Sequence, residues 1–453
     1  MNPILESQRQ FFNTNATKNT AFRIKQLKKL KIVLKSNEQL LFDAIYTDFK
    51  KSAFETYTSE LGLIYKEIDL ACKKLKTWAK PKKVKTNLLN FPAKSYIIPE
   101  PLGTTLIIGA WNYPYYLSFA PTVASISAGN TVILKPSELP IQTSSIMAKL
   151  INSNFKPDFF KVIEGGIPQT TDLLNQKWDK IFFTGSTKVG KIVNLAAAKN
   201  LTPVVLELGG KSPAIITKKT NLKITVKRLI WAKFLNAGQT CIAPDYVFVH
   251  KSIKKEFLKL IVSEIEKTAY KIENKNYVQI INSTHFNRLK SLLENTKIYY
   301  GGQTDLKNRI IYPTILSNVS FTNNIMKEEI FGPILPILTY DNLDKVIQKI
   351  KSKPKPLACY LFTNEKKIKN KILTELSFGG GTINDSVMHI TNPNLPFGGV
   401  QMSGTGSYHG KFGFKIFSHY KSILEKTIAI EPNLKYTPYS LKKLKWIKKL
   451  MSL

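Results

Sequence analysis

Cys241 closes the run Asn236, Ala237, Gly238, Gln239, Thr240, so its thiol is flanked by small and polar residues. Structural thiols usually sit among large apolar neighbours, as Cys72 and Cys359 do beside Leu70 and Leu357. The context suits a nucleophile, but residue types alone leave an inert thiol equally open, because reactivity depends on a positive environment that sequence does not display. Glu207 ends the apolar run that begins at Val204. A carboxylate there is costly unless it is paired or used, and partial desolvation would raise its pKa until it could take a proton from water near neutral pH. A third group of residues, Gly185 to Lys191, has the G-x-x-x-x-G-K frame of a phosphate loop. Ile192 stands where a hydroxyl would ligate magnesium, which argues against nucleotide hydrolysis, while a glycine turn feeding a helix N-terminus still suits a pyrophosphate. Gly404, Gly406 and Gly410 form a weaker glycine pattern that follows a turn instead of a strand and reads as structural. Asn112, before Tyr113 and Pro114, reads by itself as a turn residue, and no cysteine or histidine spacing suggests a metal.

These residues need a scaffold, and the chain supplies one. Residues 1 to 80 have helical periodicity, with Ile24, Leu27, Leu30 and Leu34 on one face and a similar pattern from Phe54 to Leu75. Val84 to Ile98 reads as a two-stranded excursion around a turn. Apolar, β-branched runs then recur at 104–110, 130–136, 161–166, 180–186 and 204–210, each separated by enough chain for a crossover helix. That rhythm predicts a parallel sheet covered on both faces, with ligands beyond the carboxyl ends of its strands. A second α/β region follows, with a helix around Lys227 to Leu235, and Leu441, Leu444, Ile447 and Leu450 mark a basic amphipathic helix near the end.

The 453 residues, 43% hydrophobic, suffice for two or three packed domains and exclude a disordered chain. Lys plus Arg number 67 against 31 Asp plus Glu, a net charge of +36 that would suit an anionic partner. Only five of the basic residues are arginine (Arg9, Arg23, Arg228, Arg288 and Arg309), and the lysines are spread along the whole length, so general lysine enrichment is favoured over a nucleic-acid surface. Three widely spaced cysteines suggest a reducing compartment. The opening residues have no signal-peptide pattern. The longest uncharged run, Pro101 to Leu134, is broken by glycines, prolines and asparagines and reads as globular core.

The segments AWNYP at 110–114, KPSE at 135–138, FTGSTKVG at 183–190, LELGGKSP at 206–213, NAGQTC at 236–241, EEIFGP at 328–333 and LPFGGV at 395–400 occur in this order. Together they resemble the aldehyde dehydrogenase superfamily. IGAWNYP, KPKPLACYLFT at 353–363 and the segment from Asn384 through GSYHGKFGF resemble its class 3 branch, which takes fatty or aromatic aldehydes. The resemblance implies an α/β fold: a Rossmann-type cofactor domain (1–81 and 103–208), an α/β catalytic domain (209–398), a small β oligomerisation extension (82–102 and 399–430) and a basic tail (431–453). It implies that Cys241 is the nucleophile, Asn112 the oxyanion-hole amide and Glu207 the base that hydrolyses the thioester. For the cofactor it implies Lys135 and Glu138 on the adenosine ribose, Gly185, Ser186 and Gly190 at the pyrophosphate, Glu329 on the nicotinamide ribose, and Phe331 and Trp111 beside the ring. NAD is expected, with NADP admitted because Lys135 is close to Glu138. Oxidation of an aldehyde to an acid by a cytoplasmic homodimer is the reading that follows, with no specific nucleic acid and with the terminal helix suited to an anionic membrane surface. His409 is read as structural, and Gln401 and Met402 depart from the small residues usual after LPFGGV. The alternatives are an acylating enzyme using coenzyme A and a catalytically silent basic relative that binds nucleic acid or membrane.

Overall fold

Every residue of the strand Thr104–Ile108 is buried, as are those of Thr131–Lys135 and Lys180–Thr184. Strands covered on both faces read as unbroken apolar, β-branched runs, and these do. In the computed structural model, which describes residues 3–452, they belong to a six-stranded sheet. Met1, Asn2 and Leu453 lie outside the described residues, so the ends of the expected first domain and tail, and the first two residues of the signal-peptide reading, are not covered.

The strand order runs Gly404–Thr405, Val204–Glu207, Lys180–Thr184, Thr104–Ile108, Thr131–Lys135, Phe160–Val162. All pairs are parallel except that of Gly404–Thr405 with Val204–Glu207. The chain leaves the central strand Thr104–Ile108 in one direction, then returns to its other side at Lys180–Thr184. That reversal creates a crevice at the carboxyl ends, where doubly wound sheets hold ligands. The helix Tyr116–Ala128, buried at every position, covers the sheet; it carries no charged residue, and hydroxyls such as Thr122 and Ser127 bond back to its own carbonyls, which suits a core helix.

A second, seven-stranded sheet has the order Ile298–Tyr300, Thr314–Leu316, Ile334–Tyr340, Tyr246–His250, Pro213–Ile216, Ala358–Phe362, Gly380–Ile383, parallel apart from the first strand. The expected excursion is the strand pair Lys82–Val84 and Ala93–Pro101, which is joined by Ser418–Lys426 in an antiparallel three-stranded sheet. The helix Leu441–Met451 forms near the end, capped by Ser440, with no buried residue. No helix among the described residues is long and apolar enough to cross a membrane.

Candidate active site

Glu207 is the last residue of its strand and is 3% exposed, and neither carboxylate oxygen has a hydrogen-bond partner. Burial pushes its pKa well above the usual carboxylate range. The backbone on either side is fixed: the Gly185 N–H donates to the Glu207 carbonyl at 3.0 Å, and Gly404 pairs with Glu207 across the sheet edge. The second glycine pattern therefore begins in this supporting edge strand.

Glu207 faces a cavity of about 230 Å³ that Cys241 also lines. Much of the wall is apolar, including Leu63, Leu117, Trp231, Leu235 and Ile242, and hydroxyl residues, Tyr113, Tyr116, Thr184 and Thr240 among them, interrupt it. Cys241 is half-buried and follows a sharp reversal in which Asn236, Ala237 and Gly238 all have positive φ. At Gly238, φ is 71° and a Cβ would come within 2.3 Å of the Gly332 carbonyl oxygen, so only glycine fits. Burial, then the carboxylates of Glu329 and Glu207, push the Cys241 thiol up to about 12. No positive side chain offsets this shift, so the thiol at rest is protonated.

Asn112 lies in the loop 109–115 that leaves the central strand, and it is 3% exposed. Its Nδ2 donates to the Gln239 carbonyl at 3.0 Å, while the Asn236 amide donates to the Asn112 carbonyl at 2.9 Å. Tyr113 and Thr240 share a hydroxyl hydrogen bond of 2.7 Å. Two loops from different sheets are thereby stitched together beside Cys241.

The expected cofactor residues gather at the switch point. Lys135, buried at its strand end, donates to the Pro136 carbonyl at 2.8 Å and to Glu138 at 3.3 Å, and burial lowers its pKa. Ser186 caps the helix Thr187–Ala198 by accepting from the Val189 N–H at 3.3 Å, leaving the first backbone N–H groups of that helix beyond the sheet. Trp111 packs edge-on against Phe331, with ring centroids 5.3 Å apart. Glu329 lies against the backbone of Gly209 and is pushed up to about 8, chiefly by burial. These groups fit a dinucleotide: a carboxylate just past a strand end, a helix N-terminus, and a half-buried carboxylate near an aromatic pair.

Several supporting residues carry no signal in the sequence reading. Lys211 pairs with Asp245 and donates to the Ile325 and Glu328 carbonyls at 2.9 and 2.7 Å, while Asp245 accepts from the Ile330 N–H at 2.8 Å. Arg288 holds Glu328 at 3.3 Å and the Ile330 carbonyl at 2.6 Å. This triad fixes the loop that carries Glu329 and Phe331. Lys211 was visible only as part of LELGGKSP. His409 is buried, bonded to the Tyr116 hydroxyl at 2.9 Å and stacked on Phe397. Of the other cysteines, Cys359 is buried, whereas Cys72 is half-exposed.

Residues 3–423 match the model of the aldehyde dehydrogenase family. The chain is 47% identical over 446 residues to a 4,4'-diaponeurosporen-aldehyde dehydrogenase of Staphylococcus aureus, covering 97% of this chain and 96% of that protein. It is 46% identical over 450 residues to aldehyde dehydrogenase family 3 member H1 of Arabidopsis thaliana, covering 98% and 93%. A substrate-bound structure of Staphylococcus aureus AldH superposes with a TM-score of 0.97 at 46% identity, covering 99% of this chain and 98% of that one.

Proposed function

The chain belongs to the aldehyde dehydrogenase family and is an aldehyde dehydrogenase, and from that premise we propose how its own residues divide the work and which substrates they take. The substrate is an apolar aldehyde, medium- or long-chain aliphatic or aromatic, and the product is the carboxylic acid. The observation that carries this reading is the pairing of Cys241 with an unpartnered, buried Glu207 on one apolar cavity.

Because burial keeps the Cys241 thiol protonated, attack requires a base, and Glu207 has both oxygens free to accept that proton. The sulfur then adds to the aldehyde carbon. Charge that develops on the carbonyl oxygen is met by the Asn112 amide and the Cys241 backbone N–H. The chemistry supplied by a bound nicotinamide dinucleotide is acceptance of hydride from the carbon attached to sulfur. Once Glu207 has released the thiol's proton to solvent, it takes a proton from water, which adds to the thioester, and the Cys241 thiol leaves as that proton returns. Lys135 and Glu138 would hold the adenosine ribose, Gly185, Ser186 and Gly190 the pyrophosphate, and Glu329 the second ribose, with Phe331 and Trp111 bracing the ring. The exposed Glu138 carboxylate favours a ribose 2′-hydroxyl over a 2′-phosphate, so NAD is preferred, and Lys135 leaves room for NADP. An unpartnered base in an apolar wall supports water over coenzyme A as acyl acceptor.

We assign residues 1–81 and 103–208 to cofactor binding, 209–398 to catalysis, 82–102 and 399–430 to a homodimer contact, and 431–453 to a basic tail suited to anionic lipid, in a cytoplasmic enzyme. The test is NADH formation with acetaldehyde, hexadecanal and benzaldehyde, run beside Cys241→Ala and Glu207→Gln. Cys241→Ala should form no NADH, and Glu207→Gln, in which only water is left to take the thiol proton, should form its single equivalent slowly and then stall. Folded protein that reduces neither NAD nor NADP would overturn the reading.

A further inference from the structure

Lys51 and Glu60 form an ion pair of 2.7 Å in which both side chains are fully buried, an arrangement that costs several kcal/mol in desolvation unless every remaining polar atom is satisfied. Here both carboxylate oxygens are used. Glu60 Oε1 takes Lys51, and Oε2 accepts from the backbone N–H groups of Tyr115 and Tyr116 at 2.8 and 3.2 Å. Those two residues stand where the loop 109–115 enters the buried helix Tyr116–Ala128. The Lys51 ammonium sits 4.0 Å from the centre of the Tyr113 ring, and the Tyr113 hydroxyl bonds Thr240, the neighbour of Cys241. Glu60 reaches this position from a single π-helical turn, Tyr57–Leu61, an irregularity that re-aims side chains and is frequent at functional sites.

We propose that Lys51 and Glu60 are positioning residues, a buried clamp that fixes both ends of the segment 112–116 and so holds the Asn112 amide and the Tyr113–Thr240 bond in register with Cys241. This inference rests on the proposed role of Asn112 at the oxyanion. Glu60 pins the backbone after Asn112 through charge-assisted hydrogen bonds, and Lys51 pins the Tyr113 ring by cation–π attraction. With either group missing, the loop loses its fixed geometry, and a donor displaced by a fraction of an ångström stabilises developing charge less well.

The experiment compares two reactions of the same sulfur that need no cofactor. Acylation by p-nitrophenyl acetate passes through an oxyanion at the position Asn112 would serve, whereas alkylation by iodoacetamide displaces iodide and forms no oxyanion. Glu60→Gln and Lys51→Met should slow p-nitrophenolate release by about tenfold or more while changing alkylation by less than about twofold. A role in stability alone would move both reactions together or neither, and either result overturns the clamp. Should a single variant fail to fold, the double variant Lys51→Met/Glu60→Gln removes both charges of the pair together, and the neighbouring Glu55 carboxyl, which burial already raises, can stay neutral. It carries the same comparison, as does Tyr113→Phe, which deletes only the hydroxyl on Thr240. Wild-type acylation at this sulfur, lost in Cys241→Ala, separates failure of the clamp from failure of the proposed chemistry.

Discussion

At Cys241 the local electrostatics oppose the reaction the residue is proposed to perform. Its thiol is pushed up to about 12 by burial and by two carboxylates, Glu329 and Glu207. Glu329 is itself pushed up to about 8, so it is mostly protonated at neutral pH and becomes a negative neighbour only above that value. In free enzyme the rate of iodoacetamide alkylation should therefore climb steadily from neutral to about pH 10 without a plateau, because the thiolate fraction is still growing. Glu329→Gln removes the charge that appears above pH 8, so it should speed alkylation there and leave the rate near pH 6.5 unchanged. Equal acceleration at both values would show that Glu329 acts on the thiol by some means other than its charge.

The helix Thr187–Ala198 lies where the cofactor phosphates are proposed to sit, and its distance from the sheet is set by one residue. A Cβ on Gly190 would fall 2.6 Å from Leu208 Cδ2, and Leu208 lines the cavity next to Glu207. Gly190→Ala should force the helix outward, lowering stability by about 1–3 kcal/mol and weakening NAD binding, as measured by thermal melting and by titration followed through tryptophan fluorescence. An unchanged NAD affinity would separate the helix from the cofactor. Elements like this one are legible in sequence because their strands are buried on both faces and end in glycine turns: the expected runs at 104–110, 180–186 and 204–210 contain the strands Thr104–Ile108, Lys180–Thr184 and Val204–Glu207. Cys241 and Glu207 could be singled out for the same kind of reason, a thiol among small residues and a charge ending an apolar strand. Lys51 and Glu60 could not. Helical periodicity assigns such charges to solvent, and the π-turn at Tyr57–Leu61 shifts the phase so that Glu60 points inward instead. Nor could Lys211, Asp245 and Arg288, because their partners, side chains as well as backbone carbonyls and N–H groups, lie far away in sequence.

Over the whole molecule, the partly and fully buried titratable groups pull stability in opposite directions along the pH axis. Burial holds His389 down to about 4 and His409 down to about 3, both below the unfolded value of about 6.5. The unfolded chain therefore binds protons that the native state refuses, and this pair costs nothing above pH 6.5 but progressively more stability as pH falls toward 4. Glu67 and Glu329 behave in the opposite way: burial raises them to about 7 and about 8, so their stability is present below the unfolded carboxylate value and is lost as pH rises through 7 and 8. The net charge of +36 adds self-repulsion that grows as further carboxylates are protonated, and salt screens that contribution without touching the burial effects. Variants separate the contributions where the wild-type profile blends them. His389 has no partner on either nitrogen and stacks on Phe397, so His389→Phe keeps the stacking and deletes only the proton site. Glu67 accepts from the Gly410 N–H at 3.0 Å, a bond that Glu67→Gln retains through its amide oxygen. At constant high salt, His389→Phe should gain thermal stability over wild type at pH 5 relative to pH 7.5, and Glu67→Gln should gain it at pH 8.5 relative to pH 5. Parallel melting profiles for wild type and either variant would mean that the corresponding side chain titrates alike in the folded and unfolded chains.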